Sequence, residues 1–304
     1  MLRFTSPAAA KFTYVISALG FCAMSTSSIA QGIAHEPYTA YGAYGSQPSS
    51  AQLPFSIAPV KTAKWVAIFS AHVDYGSSFW GAQKSAFSAY PLVRIRRGGE
   101  ARHPAIPGDS FDIDLLNNAY ISAGPTGRYR AGRYVADDRK LLGLRKLPWT
   151  IEGGAFVEIW PMHNMRARVE ARHGFRDVDG WVADIAADFV RPFGQFMLTV
   201  GPRATWGNDK TARNTFGVTS QEAALNNLAF PQHGLYAYTP KSGIQSAGAA
   251  ASLAYKLNDE WSTTATASYN RLVGDAGKSP IVKKLGNRNQ FKLGLEATYA
   301  LGID

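Results

Sequence analysis

Charged side chains recur at every second position in one stretch of the sequence, and these are the residues best placed to do chemistry. Between residues 166 and 172, three arginines and one glutamate alternate with Ala or Val, and acidic residues stand in the segments on either side. Because alternate side chains of a β-strand point to the same face, neighbouring strands would set these acids opposite these bases. The sequence therefore predicts an interior charge ladder, made of Glu152, Glu158, Arg166, Arg168, Glu170, Arg172, Asp184 and Asp188.

The balance of positive and negative charges in this interior distinguishes a filled lumen from a selective open pore. Five further residues share the same phase, namely Lys64, Asp74, Arg203, Lys292 and Glu296, and the whole set has six positive and seven negative charges. A near-neutral interior favours a lumen filled by ion pairs. A selective open pore would show an excess of one sign. The sequence therefore favours a filled lumen, with a channel as the alternative.

Hydrolytic chemistry has one candidate pair, His72 and Asp74, which stand two residues apart on one face. A catalytic triad needs a third group, but no serine is placed beside them and the G-x-S-x-G motif is absent. The one cysteine, Cys22, falls in a segment predicted to be removed, and the histidines show no metal-ligand spacing. We predict no catalytic group, no cofactor and no metal site, and keep a barrel hydrolase as the least favoured alternative.

The elements that carry these residues show the period of two expected of strands. In the closing segment 290–301, Phe291, Leu293 and Leu295 share one face and Gln290 and Lys292 share the other. Five apolar faces begin and end with aromatic rings: Trp65 with Tyr75, Trp181 with Phe189, Phe196 with Trp206, Trp261 with Tyr269, and Phe291 with Tyr299. This spacing matches the apolar band of about 25 Å between the aromatic girdles of an outer-membrane barrel. The fold class predicted is all-β, a transmembrane antiparallel β-barrel of about 10–12 strands.

Connection lengths give an independent indication of the same fold. Counted back from the C-terminus, six joints alternate between short turns and longer loops, as in barrels with periplasmic turns and outside loops. Strands near 150–160, 118–133, 84–97 and 64–75 bring the count to ten. Residues 214–218 and 234–239 could supply two more.

The N-terminal region divides into two predicted segments. Arg3 and Lys11 precede an apolar run and the small residues of Ser28-Ile29-Ala30, so residues 1–30 read as a signal peptide. That run is shorter than the roughly 20 residues a spanning helix needs. Residues 31–62 are rich in Pro, Ser, Ala, Tyr and Gly, which indicates a flexible periplasmic segment. Residues 63–304 form the predicted barrel, located in the cell outer membrane.

The net charge points to anionic neighbours. The mature chain has 30 basic and 22 acidic residues, a net charge of +8. Because the interior is near neutral, we predict that this charge lies in loops, turns and tail, at Arg94 to Arg97, Arg139-Lys140, Arg145-Lys146 and Lys283-Lys284. Outer-membrane lipid and lipopolysaccharide are the expected partners, with a merely solvated surface as the alternative. Export argues against nucleic acid.

The C-terminal third contains four distinctive stretches, namely Phe216-Gly217-Val218, Tyr269 to Ala276, Ser279-Pro280-Ile281-Val282 and Asn289-Gln290-Phe291. Through these stretches the chain resembles the MipA/OmpV family of outer-membrane proteins. It implies a monomeric, non-catalytic barrel that serves as a scaffold between a membrane-bound lytic transglycosylase and a murein synthase. The family-motif residues are Gly274, Asp275, Ser279, Pro280, Ile281, Val282 and Gln290.

The predicted topology assigns the motif to an outside loop, whereas murein enzymes work in the periplasm. We therefore expect the motif to be a folded loop that closes the barrel, with Gly274 and Gly277 permitting tight turns and Pro280 fixing one. Partner docking is expected on residues 32–62 or on the short turns. The predicted function is a scaffold for murein (peptidoglycan) synthesis and hydrolysis; the alternatives are a channel for small anionic solutes and, less favoured, a hydrolase.

Overall fold

The computed structural model describes residues 65–97, 106, 108–118, 120–175 and 179–303. The predicted signal peptide, residues 1–30, and the predicted N-terminal segment, residues 31–62, lie outside the described residues. Both stay predictions.

The described chain is built around one antiparallel sheet of twelve strands. The strands are β1 (Trp65–Ser77), β2 (Ser85–Arg97), β3 (Phe111–Asp112), β4 (Leu116–Asn117), β5 (Ile121–Arg130), β6 (Thr150–Met162), β7 (Met165–Gly174), β8 (Gly180–Phe193), β9 (Phe196–Gly207), β10 (Gly243–Lys256), β11 (Trp261–Leu272) and β12 (Asn289–Ile303). Their order in the sheet is β2-β1-β12-β11-β10-β9-β8-β7-β6-β5-β3, with β4 also paired to β5. The strand number lies within the predicted range.

The first and last long strands are neighbours. β1 pairs with β12 from Trp65 opposite Ile303 to Gly76 opposite Lys292. From β5 to β12, each strand pairs with the next along the chain. A meander in which the first long strand pairs with the last is the strand order of an up-and-down barrel, which confirms the predicted fold class. The described pairing runs from β2 at one end of the sheet to β3 at the other.

The burial pattern of the strands is the reverse of that in a water-soluble protein. On β12, Phe291, Leu293 and Leu295 are 65%, 58% and 63% exposed, whereas Gln290 and Thr298 are each only 6% exposed. The same alternation occurs on β6 and β7, where the charged residues are buried and Ile151, Val157, Ile159 and Val169 of the alternate positions are exposed. An outward apolar face and an inward polar face are typical of a barrel that stands in lipid.

Aromatic pairs mark both ends of the outward face. Their rings pack at tilted angles across neighbouring strands, with centroids 4.8–4.9 Å apart: Tyr75 with Phe87 and Tyr269 with Phe291 at one end, Phe196 with Tyr255 and Trp261 with Tyr299 at the other. These are the positions of the two girdles in membrane barrels, where ring edges meet head groups.

Connections differ at the two ends of the barrel. Short turns occupy 163–164, 194–195 and 257–260, while the opposite end carries the long connections 131–149, 208–242 and 273–288. The predicted alternation is confirmed over this part of the chain. We call the end with the long connections the outer end.

Two predicted strands are absent, because residues 214–218 and 234–239 lie in a helical connection. It contains α1 (Asp209–Phe216) and α2 (Ser220–Ala229), and α2 begins with a capping box in which Thr219 and Glu222 bond each other's backbone N–H. Only an isolated bridge joins Val218 to Tyr238. The two further strands are the short β3 and β4. No described helix is long and apolar enough to cross a membrane.

The structure also corrects the prediction for the basic run Arg94 to Arg97. This run was assigned to a connection, but it lies at the end of β2. The alternation of Arg94, Ile95 and Arg96 is compatible with a strand, so a run of positive charge alone did not indicate a loop.

Leu295 tests the orientation of the sheet. It lies near the middle of β12 on the outward face, so Leu295→Arg would place a charge at the apolar midplane and lower the free energy of unfolding by about 2–4 kcal/mol. Leu301→Arg, near the end of the same face, should cost about 0–1 kcal/mol. Equilibrium unfolding in lipid vesicles measures both. Equal effects at the two positions would contradict a lipid-facing sheet.

Candidate functional site in the lumen and outer cap

Three arginines on β7 form the centre of the lumen. Arg166, Arg168 and Arg172 are 2%, 4% and 0% exposed. They point inward because the alternating Ala and Val residues of this strand occupy the outward face. A buried guanidinium must be paired, so their partners determine what the lumen can do.

Arg166 lies nearest the short turns and has three acidic partners. Its Nε donates to Glu158 at 2.8 Å, Nη1 to Asp188 at 3.1 Å and Nη2 to Asp109 at 2.6 Å. Charge-assisted hydrogen bonds of this kind are stronger than neutral ones.

Arg168 continues the pattern one step along the strand. It donates to Glu170 at 2.8 Å, to Glu158 at 3.2 Å and to Asp112 at 2.6 Å. Its guanidinium carbon also lies 4.0 Å from the ring centroid of Phe156, a cation–π contact.

Arg172 is the outermost of the three. It donates to Glu152 at 3.2 Å and also to Glu170 and Asp184. The structure thus brings all the predicted ladder residues into one network: Glu152, Glu158, Arg166, Arg168, Glu170, Arg172, Asp184 and Asp188.

Sequence reasoning missed two arginines of β5. Arg128 donates to Asp184 at 2.8 Å, and Arg130 Nε lies 2.7 Å from Glu152. Both stand in the inward phase of their strand, and this alternation could have revealed them. With Arg203, 2.7 Å from Asp188, the network contains six arginines and seven carboxylates.

A segment of chain also enters the lumen, and no pattern in the sequence predicted it. Ser110 bonds Glu170 through both Oγ at 2.5 Å and its backbone N at 3.2 Å, and the carbonyl of Gly108 accepts from Arg128 at 2.8 Å. Ile106, 1% exposed, packs with Trp160, Val190, Met197 and Ala254 near the short-turn end. We call residues 106–112 the luminal segment; its described residues fill the space beside β7.

A second polar cluster lines the other side of the lumen. His72 Nε2 lies 3.5 Å from Glu296, and its ring stacks on Tyr90 at 4.9 Å. Asp74 pairs with Lys292 at 2.7 Å and accepts from the Tyr90 hydroxyl at 3.2 Å. The Lys292 side chain is 53% exposed, whereas those of His72, Asp74 and Glu296 are 14%, 8% and 12% exposed, so solvent exposure in this cluster is concentrated at Lys292.

The long connections pack together over the outer end. We call this unit, residues 78–84, 131–149, 208–242 and 273–288, the outer cap. Its larger apolar cluster joins all four connections: Phe79, Ala82, Leu141, Leu144, Val218, Ala223, Leu235, Ile281 and Leu285. A smaller cluster contains Phe216, Leu272, Ala276 and Val282.

The family-motif residues lie at the centre of the outer cap. Ser279 Oγ donates to the carbonyl of Phe216 at 2.7 Å, and Pro280, Ile281 and Val282 are buried. Gln290 ties the cap to β12, because its Oε1 accepts from Gly81 N at 3.2 Å.

Gly274 and Asp275 begin α3 (Gly274–Lys278). Gly274 has a φ of 53°, a left-handed conformation that favours glycine. Asp275 accepts from Lys241 N at 3.0 Å, and this hydrogen bond is the main reason that its pKa lies below the ordinary value. The motif residues therefore join two connections to each other and to the barrel wall.

Polar contacts hold the cap connections together. Arg133 Nη1 donates to the carbonyl of Thr215 at 2.7 Å, and burial lowers the pKa of Arg133 to about 10. Burial alone would raise the pKa of Glu222, but hydrogen bonds from the backbone N–H groups of Thr219 and Arg145 outweigh it, so this pKa is lowered. Both groups stay charged at neutral pH.

The described residues contain no group of three or more His, Cys, Asp or Glu side chains placed to hold a metal ion. Acids in the lumen instead meet guanidinium groups. Charged partners fill one side of the lumen, and packed connections cover its outer end. This arrangement can therefore close the barrel.

Comparisons with known proteins agree with this fold. A family model described as "MltA-interacting protein MipA" matches residues 69–301. Outer membrane protein Omp26La of Vibrio anguillarum is 34% identical over 235 residues, covering 72% of this chain and 86% of that protein. Outer membrane protein OmpV of Vibrio cholerae is 24% identical over 232 residues, with the same shares covered.

Solved structures give a weaker likeness. An outer membrane channel from Pseudomonas putida F1 aligns with a TM-score of 0.40 at 11% identity, covering 85% of this chain and 100% of that one. The CymD monoaromatic hydrocarbon channel aligns with a TM-score of 0.37 at 8% identity, covering 79% and 89%. Likeness at this level does not bear on function.

Arg172 tests the luminal network. Arg172→Met removes a buried cation and leaves Glu152, Glu170 and Asp184 short of a partner, which should lower the free energy of unfolding by about 3–5 kcal/mol. The matched control is Lys256→Met, because Lys256 pairs only with the exposed Asp259 and should change stability by less than about 1 kcal/mol. Denaturant unfolding in vesicles measures both; a similar loss in the control would contradict the network's role.

Proposed function

We propose that this chain, which belongs to the MipA family and lies in the cell outer membrane, is a non-catalytic interaction protein for the machinery that synthesises and hydrolyses murein. Its barrel would serve as a membrane anchor. Its periplasmic end would hold a lytic transglycosylase of the MltA type, and a murein synthase with it. The partner class comes from the family's description, MltA-interacting protein.

The observation that carries this proposal is the filling of the lumen. Arg166, Arg168 and Arg172 are each paired with at least three carboxylates, so one side of the lumen is occupied by side chains and by the luminal segment. The outer cap covers the long-connection end with two apolar clusters. A barrel closed in this way offers its surfaces, rather than a pathway, for function.

The geometry around His72 supports a non-catalytic protein. Its ring stacks on Tyr90 and its Nε2 faces Glu296. The nearby Ser70 hydroxyl is bonded to Thr298 at 3.0 Å. These contacts account for His72 as part of the lumen packing, without a nucleophile.

Docking would take place at the periplasmic end. In outer-membrane barrels the short turns face the periplasm, so 163–164, 194–195 and 257–260 would face the murein layer. Turn 257–260 offers the most to a partner, because Leu257 is 54% exposed and Asp259 and Glu260 are both acidic. The segment 32–62, outside the described residues, is the other candidate surface.

Binding of a purified MltA-type lytic transglycosylase tests the proposal. The mature protein in lipid nanodiscs should bind the enzyme, and either deletion of residues 32–62 or the double change Asp259→Ser with Glu260→Ser should reduce affinity about tenfold or more, the loss of one good contact. Leu142→Ser, exposed on the outer cap, is the control and should bind normally. Surface plasmon resonance measures affinity. If the unaltered protein does not bind, the scaffold proposal is wrong.

A channel for small anionic solutes is the second candidate, and the exposure of Lys292 favours it. On the side of the lumen lined by His72, Asp74, Lys292 and Glu296, the Lys292 side chain is open to solvent. A continuous path along this side would carry ions past Lys292.

Single-channel recording separates the two candidates. We expect no steady conductance from the unaltered protein in planar bilayers. Asp109→Asn combined with Asp112→Asn should produce brief openings, because the luminal segment loses its pairs with Arg166 and Arg168. Steady, anion-selective conductance of the unaltered protein would contradict the filled lumen and favour the channel.

A further inference from the structure

The outward face of the barrel is almost free of charge. Among the strand side chains that the structure describes, the outward face contains two from Lys, Arg, Asp or Glu: Arg191 near the end of β8 and Arg271 near the end of β11. They lie at opposite ends of the barrel, since β8 ends at the short turn 194–195 and β11 ends at the long connection 273–288. Each is therefore at one membrane interface.

Arg271 stands just beyond the outer aromatic girdle. It follows Tyr269 on the same face, and the Tyr269 ring lies 4.8 Å from Phe291. A charged group two residues past a girdle ring is at the level of lipid head groups, where its burial costs little. Arg271 is exposed at this position.

The Arg271 side chain is oriented by the barrel without being neutralised by it. Its Nη1 donates to Asn289 Oδ1 at 3.2 Å, and the same oxygen accepts from the Tyr269 hydroxyl at 3.0 Å. No carboxylate of the described residues pairs with Arg271. A guanidinium has five N–H donors, so most of them remain available to a ligand outside the barrel.

Arg288 lies opposite Leu272, which is buried and stands on the inward phase of β11. The carbonyl of Arg288 accepts from Leu272 N at 2.8 Å, which sets Arg288 next to the end of β11. Its Nε donates to the carbonyl of Gly277 at 2.7 Å, and no described carboxylate pairs with it. Arg288 therefore belongs to the outer cap and adds to the positive charge of the cap near the outward-facing Arg271.

The charge of the whole outer cap indicates the sign of the ligand. Its four connections contain thirteen lysines and arginines but five aspartates and glutamates, a net charge of +8. The periplasmic turns 163–164, 194–195 and 257–260 contain no lysine or arginine and two acids. The field at the outer end therefore attracts anions, and membrane proteins use such basic clusters to bind phosphorylated lipid head groups.

We propose that Arg271, at the rim of the basic outer cap, binds a phosphate group of lipopolysaccharide in the outer leaflet. The planar guanidinium fork matches the spacing of phosphate oxygens and can donate two parallel hydrogen bonds to them. The lipid's acyl chains would then lie along the apolar face below, against Phe291 and Leu293. This site is independent of the scaffold proposal, because it lies at the opposite end of the barrel from the turns.

Lipid titration of the detergent-purified full chain tests the site. The probes are diphosphoryl lipid A and the same lipid with its phosphates removed. Native mass spectrometry should show that Arg271→Gln weakens binding of diphosphoryl lipid A about tenfold, as expected for loss of charged hydrogen bonds. Arg271→Lys keeps the charge but not the planar guanidinium fork. Its affinity for diphosphoryl lipid A should lie between those of the unaltered protein and Arg271→Gln.

Arg191→Gln is the matched control, since it removes the other outward arginine from the opposite interface. It should leave binding of lipid A unchanged, and the dephosphorylated lipid should bind the unaltered protein and the Arg271→Gln protein equally. Circular dichroism and resistance to heat in detergent establish that each variant is folded. Unchanged affinity in Arg271→Gln, or an equal loss in Arg191→Gln, would overturn the proposed site.

Discussion

Ion pairing inside the barrel is the constraint on which the rest of the structure depends. Six arginines and seven carboxylates share the lumen, and a buried charge of either sign is tolerable only beside its opposite. This requirement explains why β5, β6, β7 and β8 contribute charges in matching phase. It also explains the luminal segment, because Asp109 and Asp112 supply two carboxylates that the strands around Arg166 and Arg168 do not.

The outer cap packs the long connections together at the outer end of the same barrel. Connections of this length would ordinarily stand in water as separate loops, but here they share a core in which Ile281 and Phe216 are both 0% exposed. Their polar groups are satisfied across connections, as where Asn226 donates to the carbonyls of Lys140 and Leu142 at 2.8 and 2.6 Å. The cap is therefore one packed unit, and a basic one. It presents a stable cationic surface to the exterior, while the short turns leave the periplasmic end compact.

Sequence reasoning worked where the period of two was unbroken. The strands of the C-terminal half and the phase of Arg166, Arg168 and Arg172 follow from side chains that alternate between faces. It did not work where structure depends on distant partners. Residues 214–218 have no decisive pattern of their own. Residues 214–216 end α1, where Ser279 Oγ donates to the carbonyl of Phe216, and Val218 forms a bridge to Tyr238. The luminal position of Asp109 could not be read locally either, since it depends on a cation that is 57 residues away in sequence.

The pairing of β1 with β12 has a consequence for the order of assembly. Ser70 on β1 bonds Thr298 on β12 across 228 residues of sequence. One edge of β1 therefore stays unpaired until almost the entire chain is present. Contacts of such high sequence separation form slowly, and an unpaired strand edge invites association with other chains. A nascent or truncated chain therefore cannot complete its sheet. The fifteen residues of β12, Asn289–Ile303, join β1 and β2 to the rest of the sheet, so the sheet reaches its full width only when they pair.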